Sequence, residues 1–343
     1  MTPDLEPLVA AVRTNCHISD ARHARDLTLC TYLLEMREMY RWERGIPFGA
    51  ALVHEDVRRW IAERELMWST FEEAAEVALP FPSGTVEAYD AKAANRELRT
   101  FDMVYGAGIG PFGKPQFFLA ELEREEWREG MRILVAGRER VRDLSAAPAA
   151  SRDGTIYVRL EALRRLLWER FEAHRGNGAL AAALALHGFD GKSDETLSGM
   201  VASEAEALIL HEIGECRAGE RVGPQWEAVL GGLASRHNEL FMRAVRDHVA
   251  DCTITLPRLL DRDAVASVHF WFANLSGMRK SLFPAVEPAY ARWRACGSDE
   301  PLRAAACAGA LHWPRIAEEI LLAYAQGGED AIAALAKDPA TVL

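Results

Sequence analysis

The stretch QFFLAELEREEWRE, residues 116–129, decides how this chain is read. Taken as a helix, it joins helical patterns that fill most of the sequence. Ahead of it, Ser19 is the expected N-cap of one long helix reaching Arg44, stopped by Gly45 and Pro47. A second helix is expected over about 55–79, ended by Pro80 and Pro82, and residues 85–115 read as loop. After residue 160 helices return, among them 194–217, 235–256 and 264–274. Only Arg132–Ala136 and Thr155–Val158 have strand character, on either side of the turn SAAPAAS at 145–151. The expectation is a mainly α protein, a multi-helix orthogonal or bundle-like architecture with a minor β element near residues 131–158. It forms a single integrated domain over 1–343, with two lobes of about 1–145 and 155–343.

Composition narrows the function classes. Hydrophobic residues make up 49% and charged ones 27%, ordinary for a globular chain. Asp and Glu outnumber Lys and Arg by 51 to 40, for a net charge of −11, which argues against nucleic acid or an anionic membrane as partner. No apolar run is long enough for a membrane span. The six cysteines show no CxxC spacing, and the N-terminus MTPDLEPLVAAVRTN lacks a basic region followed by an apolar one. A cytoplasmic protein with reduced thiols is expected.

Two helical segments carry a histidine and carboxylates inside an apolar stripe: LILHEIGE at 208–215 and RDHVAD at 246–251. His211 and Glu215 are four apart, and His248 and Asp251 three, so each pair shares a helix face. Spacing alone carries little weight. With 51 acidic residues in 343 and four helical partner positions per histidine, about six such pairs arise by chance from ten histidines. Six occur: His17–Asp20, Asp20–His23, His23–Asp26, His187–Asp190, His211–Glu215 and His248–Asp251. Context favours the last two, because Phe241, Val245, His248, Cys252 and Leu256 follow one stripe toward the core.

Side by side, these helices bring His211, Glu215, His248 and Asp251 to one point as ligands for a divalent metal, Zn²⁺ or non-haem iron. Two other readings of the same residues stand beside it: a buried hydrogen-bonded pair that orders the core, with Arg243 or Arg246, and a metal-free acid–base site. His-Glu-x-x-Glu departs from the zinc-peptidase His-Glu-x-x-His helix at Glu215. A helix-bundle carboxylate site would recruit Glu204 or Asp247, although its Glu-x-x-His spacing is absent.

Near the N-terminus, NCHISDARH (15–23) gathers Cys16, His17, Asp20 and His23, a second metal site or a contributor to the same pocket if they converge. In GAGIGPFGKP (106–115), Gly108 to Lys114 fits the start of a P-loop, but Pro115 stands where Ser or Thr is required. A glycine-rich turn closing over a pocket, with Lys114 near its mouth, is the favoured reading. Arg37, Arg41, Arg138, Arg140 and Arg142 either clamp an anionic substrate or pair with neighbouring glutamates.

The stretches NCHISDARHA (15–24), YLLEMREMYRWE (32–43), YGAGIGPFGKPQFFLAELER (105–124), LHEIGE (210–215), RAVRDHVADC (243–252) and HFWFANLSGMRKSLFP (269–284) together resemble an uncharacterised bacterial protein family. The resemblance runs over nearly the whole chain and implies one integrated unit. It assigns no activity, cofactor or catalytic residue. The functional expectation is a metal-dependent enzyme acting on a small molecule, with anionic ones foremost; the alternative is a non-catalytic binding or scaffold protein with a buried His/carboxylate network. Glu212, beside the ligand face, is the expected acid–base group, and Lys114, Arg138, His17 and His23 are the expected substrate contacts.

Overall fold

The computed structural model describes residues 5–110, 113–174, 176 and 178–343. They divide into two compact units: the residues up to Trp127 with Arg132–Arg152 and Tyr157–Trp168, and Arg128–Met131, Asp153–Ile156 and Glu169–Leu343.

In the first unit, α1 (Glu6–His23), α2 (Leu29–Glu43), α3 (His54–Trp68), α4 (Ala91–Leu98) and most of α5 (Leu160–Glu172) accompany a β1–β2 hairpin (Leu79–Phe81, Gly84–Val86) and a larger sheet. That sheet comprises β3 (Met103–Ile109), β4 (Pro115–Arg128), β5 (Met131–Arg142), β6 (Ala149–Arg152) and β7 (Thr155–Arg159). Its strand order is β3-β4-β5-β7-β6, mixed and curled.

The helical reading of 116–129 is overturned, and with it the minor β element. Helices remain the majority, but the β structure is a substantial domain. The segment is β4, antiparallel to β3 from Met103↔Glu121 to Ile109↔Pro115. Phe117 and Leu119 face one core with Leu79, Leu98 and Tyr105. Phe118 and Ala120 face another with Val104, Leu134, Ala136 and Tyr157. A strand buried on both faces shows no polar alternation to announce it. Leu, Ala, Glu and Arg favour helix in isolation, but cross-strand partners decide here: Glu121 meets Arg140 at 2.6 Å and Glu125 meets Arg132 at 2.7 Å. The Glu121–Arg140 pair is largely exposed, so Arg140→Ala is expected to cost only about 0.2–1 kcal/mol in chemical denaturation.

The glycine run is likewise strand. A Cβ on Gly106 would lie 2.0 Å from the Phe118 ring, and one on Gly108 2.3 Å from the Arg152 guanidinium. These glycines make room for neighbouring side chains, and strand β4, not the helix a phosphate cradle requires, follows them. The Gly110 N–H donates to the Lys114 carbonyl at 2.7 Å; Pro111 and Phe112 of the same motif lie outside the described residues.

The expected helix from Ser19 to Arg44 is two helices. Ser19 sits inside α1, where its hydroxyl donates to the Pro115 carbonyl. Thr28 caps α2 by accepting from the Thr31 N–H.

The second unit is helical: α6 (Gly178–His187), α7 (Asp194–Val222), α8 (Pro224–Gly232), α9 (Arg236–Ala250), a π-helical turn (Asp251–Thr255), α10 (Leu256–Asp261), α11 (Val265–Asn274), α12 (Gly277–Leu282), α13 (Val286–Cys296) and α14 (Glu300–Leu335). Its core gathers Phe241, Val245, Leu256, Phe283, Trp313 and Ile316. Helix α9 packs against both α7 and α14. No helix among the described residues is long and apolar enough to cross a membrane.

Candidate metal centre

Helices α7 and α9 come close because of one missing side chain. A Cβ on Gly214 would meet the Ala250 backbone at 2.8 Å (O) and 2.9 Å (Cα). Gly214 lies between His211 and Glu215, so the close approach falls at the polar end of the α7 stripe. Just past Ala250 the backbone widens into the π-helical turn that starts at Asp251, a local departure often found at functional sites.

Ligand atoms of His211, Glu215 and Asp247 lie within 4.8 Å of one another, and all three residues are half-buried. The Asp251 carboxylate, fully buried, stands 2.9 Å from His211 Nδ1. On the other side of the ring, His211 Nε2 is 3.4 Å from Glu215 Oε1. Arg279 bonds Asp251 and approaches Asp247 at 3.6 Å. Arg246 pairs with Glu215 at 2.9 Å and with Glu227 at 3.0 Å.

The electrostatics follow from burial and these partners. Burial alone would depress the His211 imidazole, but Asp251 and Glu215 raise it well above its ordinary value. Burial works against ionising Asp251 and Glu215, yet Arg279 with His211 holds the first low, and Arg246 with His211 holds the second low. Asp247 differs: burial, only partly offset by Arg279 and reinforced by Glu215, pushes its carboxyl up to about 6. It is the carboxylate of the cluster least compensated by positive charge.

Of the four expected ligands, His211, Glu215 and Asp251 come together and His248 does not. Its Nε2 donates to the Arg279 carbonyl at 2.9 Å, and its ring stacks on Trp313 with centroids 4.5 Å apart. Burial and the charge of Arg279 lower its pKa to about 4. The reason is helical geometry: Asp247 and Asp251, four apart, share the stripe facing α7, while His248 lies about 100° further round. Asp247, an auxiliary ligand in the carboxylate reading, takes the inner place, and Asp251 stands behind His211. Glu212 is buried on α7, where its charge acts on Arg246. Glu204 belongs elsewhere, paired with His187 at 3.0 Å and Ser267 at 2.9 Å.

The expected substrate contacts belong to the first unit. Lys114 Nζ is 2.9 Å from both Asp20 and Ser145, inside a buried ion pair. Arg138 is exposed on β5. His17 accepts from the Trp68 indole at 3.3 Å, and His23 meets Asp26 at 3.1 Å. Cys16 donates to the Phe117 carbonyl, and burial, with Asp143 and Asp20, raises its thiol pKa well above the ordinary value, the opposite of a nucleophile's. Of the arginines read as clamps or as partners of glutamates, Arg41 pairs with Glu38, and Arg142 shares Glu139 with Arg159. The residue that sequence reasoning missed is Arg279. Its only signal was its place in the stretch 269–284.

Fold and site together define a two-unit α-plus-β protein whose helical unit carries a His/carboxylate cluster braced by arginines. The chain belongs to the family of unknown function DUF6866: the model of that family's N-terminal domain matches residues 7–159, and the model of its C-terminal domain matches residues 164–340. No curated protein and no solved structure matches it.

Proposed function

We propose that this protein is a cytoplasmic, metal-dependent enzyme that acts on a small anionic molecule, with Zn²⁺ or Fe²⁺ held by His211 Nε2, Glu215 and Asp247. The observation that carries this reading is the arrangement around His211: a buried carboxylate at Nδ1, Glu215 at the opposite nitrogen, and an Asp247 carboxylate within 4.8 Å of both His211 and Glu215 ligand atoms. A carboxylate at the far nitrogen is how metal-ligating histidines are commonly oriented and made more basic. One imidazole and two carboxylates suit zinc or ferrous iron. Once a metal displaces the His211 proton, three carboxylates against the two guanidiniums of Arg246 and Arg279 leave a negative charge, which a divalent ion reverses in sign, drawing an anion. The metal would supply Lewis-acid activation of water or of a substrate oxygen. Glu212 is the proposed acid–base group.

The test is elemental analysis of the purified full chain with calorimetric titration of Zn²⁺, Fe²⁺ and Mn²⁺. Near-stoichiometric uptake is expected in the parent and in His248→Phe, with a loss of at least about tenfold in affinity in His211→Ala and Asp247→Asn. A parent that takes up none of the three ions would sink the metal reading. The alternative, a non-catalytic binding or scaffold protein, draws on Arg246 and Arg279. Each already offsets a carboxylate of the cluster, as in a self-sufficient buried network.

A further inference from the structure

A cleft of about 440 Å³ opens in the helical unit among α10, α11, α13 and the residues leading into α14. None of its lining residues belongs to the His211 cluster. Leu259, Val265 and Val268 supply an apolar wall, and Trp293 adds an indole. His269 and Arg294 supply donors, and Asp263 and Asp299 supply carboxylates. The volume falls in the range of small-molecule sites, and an apolar lining with few placed polar groups is their usual make-up.

His269 is the informative residue. It is only 8% exposed, yet its ring lines the cleft and lies 4.8 Å from the Trp293 ring. Its Nδ1 is 2.7 Å from the Tyr290 hydroxyl, and Tyr290 is fixed in turn by stacking on Phe272 at 3.9 Å. A Tyr290 hydroxyl donating to Nδ1 puts the ring proton on Nε2, which then has an N–H to offer. Arg294 lies on the rim, 5.6 Å over the Tyr290 ring. Of the two acidic residues at the cleft, Asp299 is offset by Arg303 at 2.6 Å, and Asp263 is exposed to solvent, where its charge is screened. An imidazole N–H and a guanidinium beside an indole and an aliphatic wall ask for one chemistry: a flat ring bearing an anionic acceptor.

We propose that this cleft binds a planar aromatic carboxylate, its ring against Trp293 and Val268 and its carboxylate directed to His269 Nε2 and Arg294. The site is separate from the metal centre and does not depend on it.

Titration of the full chain with indole-3-carboxylate, followed by calorimetry, tests this directly. Saturable one-to-one binding is expected, with the neutral indole-3-carboxamide at least about tenfold weaker. Arg294→Ala, a surface change, should weaken the carboxylate several-fold while leaving the circular dichroism spectrum unchanged. Val265→Trp should fill the cleft and abolish binding without altering metal uptake. Absence of binding at millimolar carboxylate would overturn the proposal. So would equal affinity for the amide, or binding that survives Val265→Trp.

Discussion

Asp251→Ala is expected to lower the stability of the protein by about 3–5 kcal/mol, the range seen when one partner of a buried ion pair is removed. Asp251 is fully buried and is the only carboxylate that contacts both His211 Nδ1 and the Arg279 guanidinium among the described residues. Its loss removes the nearer carboxylate of the Arg279 guanidinium and leaves only Asp247 at 3.6 Å, on a residue whose backbone carbonyl also orders His248. Asp251→Asn keeps the shape and one acceptor, so it should lose less than the alanine variant. The sign of the pH dependence follows from the two shifts. Asp251's folded pKa lies below its ordinary value, so its contribution is present above about pH 4 and fades in more acid solution. His211's lies above its ordinary value, so its contribution is complete below about pH 6.5 and fades as pH rises through the folded value. Urea denaturation of parent and variant should therefore differ most between about pH 4 and 6.5. A difference under about 0.5 kcal/mol there would mean that solvent, not Asp251, neutralises the cluster.

The helix frame of this centre was legible because its period was. Helix α7 begins at Asp194, where the expected range 194–217 starts, and His211 and Glu215 share a face as their i,i+4 separation requires. What spacing could not give was rotation. The stripe through Phe241, Val245 and His248 is real, and all three are buried, but it points into the aromatic core around Trp313. The carboxylates that face α7 lie on the adjacent stripe. The Gly214 approach and the π-helical turn at Asp251 also decide which groups meet, and both depend on contacts between elements distant in sequence. Arg279 comes from a third helix, α12, with no periodicity of its own to mark it.

The first unit departs from its sequence pattern for the opposite reason: a local signal that tertiary context overrides. Residues 116–129 contain strong helix formers, and a two-sided buried strand looks like a buried helix when periodicity is the guide. Mutation separates the two. Phe117→Ala is expected to cost about 3–5 kcal/mol, since the ring is fully buried with Leu79, Leu119 and Cys16. Phe118→Ala should be costly too, because its ring fills the space left by Gly106 on the other face. The two side chains occupy different cores, so their losses should add to within about 0.5 kcal/mol in the double variant. Trp127, at the far end of β4 and 67% exposed, sets the contrast: its alanine variant should fall within about 0.5 kcal/mol of the parent. In a surface helix, adjacent large residues cannot both be buried on opposite faces. A small loss at either phenylalanine would therefore return this segment to helix and take the β3–β4 register with it.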